Sequence, residues 1–224
     1  MSEKANIDIE EARALVADAV LWPRVRDFLW NFASQIHSSW ISDLRLEVLP
    51  RLMSSHRVRR FVVSSLGVEP CFHTFPKEDC SRMLLLDGAT LVSMAEWIGA
   101  LVLADQLRRV MDGKAVRALK AALPGVYPEV FMYTAYFKGI DFQREGAKAH
   151  KADLAGGEAV PREGAAIVSG VLSGLPESLV MRLRLKLPKG LCGSATSRLK
   201  PETCGKVLSK LLKLKFPEAY RLCC

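Results

Sequence analysis

The sequence predicts an all-α fold, a single compact multi-helix bundle with a basic amphipathic C-terminal helix. Three observations predict it. Apolar residues recur at three- and four-residue spacing along most of the 224 residues. Glycine and proline punctuate these runs into helix-length pieces. The one stretch that alternates in the strand period has no evident partner strand. Half of the residues are hydrophobic and 25% are charged, a globular balance. A chain of this mass buries roughly 70% of its extended surface, enough for a core without covalent staples.

The elements follow in order. Residues 6–21 read as a helix with Asp8, Glu10 and Glu11 at its start, where the helix dipole favours acids. Leu15, Val16 and Ala19 make its apolar stripe, and Pro23 stops it. Residues 24–36 carry the aromatics Phe28, Trp30 and Phe32. Ser38 or Ser39 caps a helix running to residue 49, and Pro50 opens another that runs to residue 66. The latter shows a basic surface of Arg51, His56, Arg57, Arg59 and Arg60, and Gly67 closes it. Residues 69–79 form a turn-rich connection.

The main hydrophobic element spans residues 81–111, with a break expected at Asp87-Gly88. Leu91, Met94, Ile98 and Leu101 keep helical spacing, and Asp105 and Arg109 stand four apart with the acid first, a favourable helix pair. Residues 114–123 make a short amphipathic helix: Val116, Leu119 and Leu123 face in, while Lys114, Arg117 and Lys120 face out. Pro128 starts a further helix, to residue 137, with core aromatics Phe131, Tyr133, Tyr136 and Phe137.

Residues 139–161, with four glycines, read as a loop or flexible insertion. This divides the chain into a helical core over 1–138, the insertion, and a basic helical segment over 162–224 that packs on the core. Residues 163–172 are helical. In residues 176–187, Met181, Leu183, Leu185 and Leu187 alternate with Arg182, Arg184 and Lys186, a strand signal, whereas Pro176-Glu177-Ser178 is a helix start. Both readings stand from the pattern; the lack of a partner strand favours helix. Residues 203–216 form the final amphipathic helix, with Val207, Leu208, Leu211 and Leu212 opposite Lys206, Lys210 and Lys213. The ionised residues are expected outside the bundle.

Net charge is +8, and residues 179–224 hold eleven Lys or Arg against two acids. Such a basic end suits an acidic protein surface, an anionic lipid or a nucleic acid, or serves as a solvated face. Nucleic-acid readers usually add a recognition motif or exposed stacking aromatics, and the basic end offers Phe216 and Tyr220 alone. The expectation is no nucleic-acid partner; a basic nucleic-acid-binding or peripheral membrane-binding protein is the alternative.

Residues 84–104 have the length of a membrane span but include Asp87 and Glu96. Each acid costs ~3 kcal/mol near a span's centre against ~0.5 returned per large apolar residue, so a buried helix is expected. The acid-rich residues 1–11 do not resemble a signal peptide, and the six cysteines read as thiols in a reducing cytosol.

No reactive constellation stands out. Cys71, His73 and Cys80 lack the paired spacing of a zinc site, as do Cys192, Cys204, Cys223 and Cys224. No serine lies in a nucleophile elbow, and the histidines His37, His56, His73 and His150 have no evident triad. Gly156-Gly157 is followed by Glu158, the wrong charge for a phosphate loop. No catalytic residue, cofactor or metal is assigned. Basic stripes at Arg108, Arg109, Lys114, Arg117 and Lys120, and at Lys206, Lys210 and Lys213, are the candidate partner-binding surface.

Two stretches resemble a known family. Residues 28–40, FLWNFASQIHSSW, resemble the N-terminal signature of the SctK (YscK-like) proteins of type III secretion, with Asn31, Phe32, His37 and Trp40 at motif positions. Residues 97–139 are similar to that family's central block: an apolar helix with a Gly-Ala step, an Arg pair, a short basic helix and another helix. The resemblance implies a non-enzymatic helical adaptor, cytoplasmic at the inner-membrane base of the secretion apparatus, monomeric in isolation and without cofactor. In the sorting platform it would bridge the cytosolic domain of the inner-membrane ring protein SctD to the pod protein SctQ. Asn31 and His37 are expected to cap or bond helix ends, and Phe32 and Trp40 to pack in the core.

Overall fold

The computed structural model describes residues 9–42, 55–68, 73–76, 80–140, 142, 154, 157–192 and 199–223. Among them are twelve α-helices and no strand, so the all-α expectation holds. Asp8, Arg51, Cys71, His150 and Cys224 lie outside the described residues, as do residues 43–49 of the helix expected after Ser38, the Pro50 start, and most of the 143–156 stretch.

Helix α1 is Ile9–Ala17 and α2 is Leu21–Trp30. The break between them is made by Asp18, whose Oδ1 accepts from Val20 N at 2.9 Å and Leu21 N at 2.8 Å. Pro23, expected to stop the first helix, instead sits in the first turn of α2. There its missing N–H removes a donor that has no intrahelical partner anyway. Leu15 is buried, but Val16 is 53% exposed and Ala19 is also outside, so the expected stripe of α1 is a single anchor. The aromatic stretch to residue 36 divides into α2 and a 3-10 turn, Phe32–Gln35.

Helix α3 is Ser38–Ile41 and α4 is His56–Ser65. Gly67 has φ +70°, the left-handed conformation that ends α4. The long hydrophobic run breaks twice. A 3-10 turn, Ser81–Leu85, precedes the expected break; α5, Gly88–Val102, begins there; α6, Ala104–Arg108, follows a second break at Leu103. Asp87 caps α5, its carboxylate accepting from Thr90 N at 2.8 Å and Thr90 Oγ1 at 2.7 Å. Because α6 ends at Arg108, Asp105 pairs with Arg108 at 3.1 Å rather than with Arg109, the expected partner.

Helix α7, Gly113–Ala122, is capped by Asp112. Helix α8, Val126–Tyr133, starts two residues before Pro128 and ends in a 3-10 turn, Thr134–Phe137. Helix α9 is Ala159–Val171, so residues 159–161, assigned to the loop by sequence, are helical. Helices α10, Glu177–Lys186, α11, Pro201–Lys215, and α12, Pro217–Cys223, complete the chain. The alternating segment is thus a helix. Pro201 fits the first turn of α11 for the reason given for Pro23.

Helix α5 is apolar nearly all round and forms the centre of the bundle, with Leu91, Met94, Ala95, Ile98 and Ala100 fully buried. Helices α9, α8 and α11 pack on it. The α5–α9 crossing brings backbone against backbone. A Cβ at Gly99 would lie 1.8 Å from Val160 O, and one at Gly164 would lie 1.8 Å from Ala95 O. Only glycine fits either position.

Candidate functional site

Three of the four family-motif positions, Phe32, His37 and Trp40, meet α10 or the residue after it, and the fourth, Asn31, joins α2 to α4. Phe32 is buried, its ring 5.0 Å from the Arg182 guanidinium and edge-on to Phe28 at 5.7 Å. His37 donates its backbone N–H to Leu185 O at 2.8 Å, and its Nδ1 accepts from Ser39 N at 3.2 Å, capping α3. Trp40 donates Nε1–H to Leu187 O at 2.9 Å and lies under the Lys189 ammonium. Asn31 donates to Asp27 Oδ1 and accepts from Arg59 Nη1, each at 3.0 Å, joining α2 to α4. Helix C-termini leave carbonyls unpaired; here Leu185 O and Leu187 O, near the end of α10, are met by the motif.

The same helix carries two buried cations, against the expectation that ionised residues lie outside. Arg182 is 3% exposed and Lys186 is 1% exposed. Arg182 donates to Phe28 O at 2.7 Å. Lys186 Nζ donates to Leu84 O at 2.5 Å and Leu86 O at 2.9 Å, and lies 5.0 Å from the Phe28 ring centre. Burial pushes the Lys186 amine down to about 7, with Asp87 pulling the other way and Arg182 adding to the drop. Sequence reasoning missed the pair because alternation with leucine looks like a solvent-facing row. Its signal was the spacing: residues 182 and 186 are four apart and share a helix face.

The basic stripes sit on the surface. Arg108 on α6, Arg109 just past its end, and Lys114, Arg117 and Lys120 on α7 are exposed, as are Lys206, Lys210 and Lys213 on α11. Helix α8 and its 3-10 extension touch both groups. Arg108 bonds Thr134 Oγ1 at 2.8 Å and stands 5.5 Å from the Phe131 ring centre. Lys210 stands 5.7 Å from that of Phe137. Lys215, between α11 and α8, pairs with Glu129 at 2.5 Å and lies 4.3 Å from the ring centres of both Trp97 and Tyr133. Burial works against its charge, but hydrogen bonds to Glu129 and Tyr133 outweigh that and raise its pKa. Met132 is 65% exposed here, and Tyr136, expected in the core, is 57% exposed.

Among the described residues no group of three or more His, Cys, Asp or Glu is placed to hold a metal, and no helix is long and apolar enough to cross a membrane. Cys192 donates Sγ–H to Arg184 O at 3.2 Å, and burial pushes its thiol up to about 11. It is held as a protonated thiol, not a nucleophile.

Comparison with curated proteins and with solved structures yields no match. Residues 25–223 match the family described as YOP proteins translocation protein K (YscK), a match that takes in the four motif positions, both basic stripes and the buried cations. The chain belongs to the YscK family of type III secretion proteins.

Proposed function

We propose that this protein is a non-enzymatic adaptor of the type III secretion sorting platform, bridging the cytosolic domain of an SctD-like ring protein to an SctQ-like pod protein. It would work as a monomer in the cytoplasm, at the inner-membrane base of the apparatus. The observation that carries the reading is the pair of exposed cationic stripes on α6–α7 and on α11, each in contact with α8 or its 3-10 extension. Two surfaces on a stiff frame are what a bridge between two assemblies needs, and cationic stripes steer acidic partners.

The frame supports the reading in a second way. The glycine-locked α5–α9 crossing leaves little slack between the helices of the central block and those of the basic C-terminal segment. We therefore read the helices described within 1–138 and 162–224 as one load-bearing body. The test is separate pull-down with each purified partner. Capture of both, with one partner lost on Lys206→Glu/Lys210→Glu/Lys213→Glu, is expected. Capture of neither contradicts the proposal.

A further inference from the structure

A concave site lies apart from both basic stripes, between the end of α2 with its 3-10 turn and helix α4. It has a volume of about 490 Å³, within the usual range of ligand pockets, ~300–1,000 Å³. Leu29, Phe32 and Val63 give it aliphatic and aromatic walls, and Trp30, 56% exposed, stands at its edge. Its polar lining is cationic: Arg59, Arg60 and Arg182, with His56 beside them. Among the described residues no carboxylate lines it. The Asp27 carboxylate on the neighbouring turn of α2 is engaged by Asn31 Nδ2. Arg59 Nη1 is spent on Asn31 Oδ1, while Arg59 Nε is buried and without a partner.

Buried guanidinium donors are costly to leave unpaired. A hollow whose described lining joins apolar walls to Arg59 and Arg60 and holds no carboxylate therefore suits a ligand that brings carboxylates together with an apolar side chain. We infer that this α2–α4 cleft receives an acidic segment of a partner protein, a bulky apolar side chain entering between Leu29 and Val63 while flanking carboxylates meet Arg59 and Arg60. Concavity distinguishes this occupant from a bilayer, which takes up protruding apolar side chains. Concavity also distinguishes it from a nucleic acid, which follows an open basic track. The inference rests on the adaptor reading and adds a third surface to it.

The test uses the full chain and a fluorescein-labelled synthetic peptide of Glu, Leu and Phe, followed by anisotropy. Its controls are the same peptide with Glu replaced by Gln, and with Leu and Phe replaced by Ser. The variant is His56→Glu/Arg60→Glu; both residues are exposed, so the fold is expected to survive, as a thermal melt will show. The acidic apolar peptide should bind, weaken with added salt, lose about tenfold in affinity on the double reversal, and outbind both controls. Equal binding to the variant, no binding to the wild-type chain, or tighter and variant-sensitive binding of phosphatidylglycerol vesicles or a single-stranded oligonucleotide would overturn the inference. The partner pull-downs report separately. If the wild-type chain captures neither ring nor pod protein while the peptide still binds as expected, the adaptor reading falls and the chemistry of the cleft stands.

Discussion

At the scale of single residues, an ammonium group inside an apolar core needs its lost hydration replaced. Lys186 finds two carbonyls, Leu84 O and Leu86 O, and an aromatic face at Phe28. The carbonyls belong to the break before α5, so the lysine satisfies a chain segment that the helices on either side leave open. Its amine lies near pH 7 in the folded chain against an ordinary 10.5. Between those values the unfolded chain binds a proton that the folded chain does not, so stability rises with pH from about 7 toward 10.5. Cys192 acts in the opposite sense: raised from 9.0 to about 11, it makes stability fall between those values. Denaturant titrations at pH 7, 8 and 9 should therefore show rising stability, up to ~1.4 kcal/mol per pH unit for one proton, and Lys186→Met should flatten the rise. An unchanged slope in the variant would refute this assignment. Arg182→Met should cost roughly 2–3 kcal/mol, since it strips Phe28 O of its donor and the Phe28 and Phe32 rings of their cation. Phe32 as a core residue and His37 as a cap were expected from the motif positions, whereas local spacing had put the cap at Ser38 or Ser39. The buried cations were not, because nothing local tells a Lys or Arg that faces solvent from one that faces distant carbonyls.

At the scale of elements, the α5–α9 crossing brings backbone against backbone, and it turns on two glycines. Gly164→Ala would set a methyl against Ala95 O, so the helices must separate, and the expected loss is about 3 kcal/mol, the upper end for overpacking, in chemical denaturation. Gly205 in α11 has nothing within 4 Å of its would-be Cβ. Gly205→Ala should therefore stabilise by ~0.5–1 kcal/mol through helix propensity. The opposite order of the two effects would mean that the crossing is placed wrongly. Helix existence was readable from period and punctuation for α5, α7, α9 and α11. Boundaries were less so: Pro23 and Pro128 looked like limits yet lie in first turns, where proline is tolerated. The break at Leu103 carries no proline or glycine and arises where α6 turns Leu107 into the core. The partnership of Gly99 with Gly164 depends on tertiary packing that no local pattern encodes.

At the scale of the whole molecule, the distribution of charge sets what the protein can meet. Net charge is +8, and cations gather in the two stripes beside α8 and in the lining of the α2–α4 cleft. The stripes were legible as amphipathic patterns. Their placement about α8 was not, because it depends on Arg108, Lys210 and Lys215 converging on aromatics of one helix and its extension. Charge complementarity governs association rate more than the strength of the final complex. Raising ionic strength from about 0.05 to 0.5 M should thus slow partner association in surface-binding kinetics much more than it speeds dissociation. A salt-independent association rate would show that the stripes are solvated faces. The bridge itself is tested most directly by light scattering of a size-separated mixture of this protein, the SctD-like cytosolic domain and the SctQ-like pod protein. The account predicts one species with the summed mass of all three, which disappears when this protein is left out. Three separate peaks, or a ring–pod complex that forms equally well without it, would contradict the account.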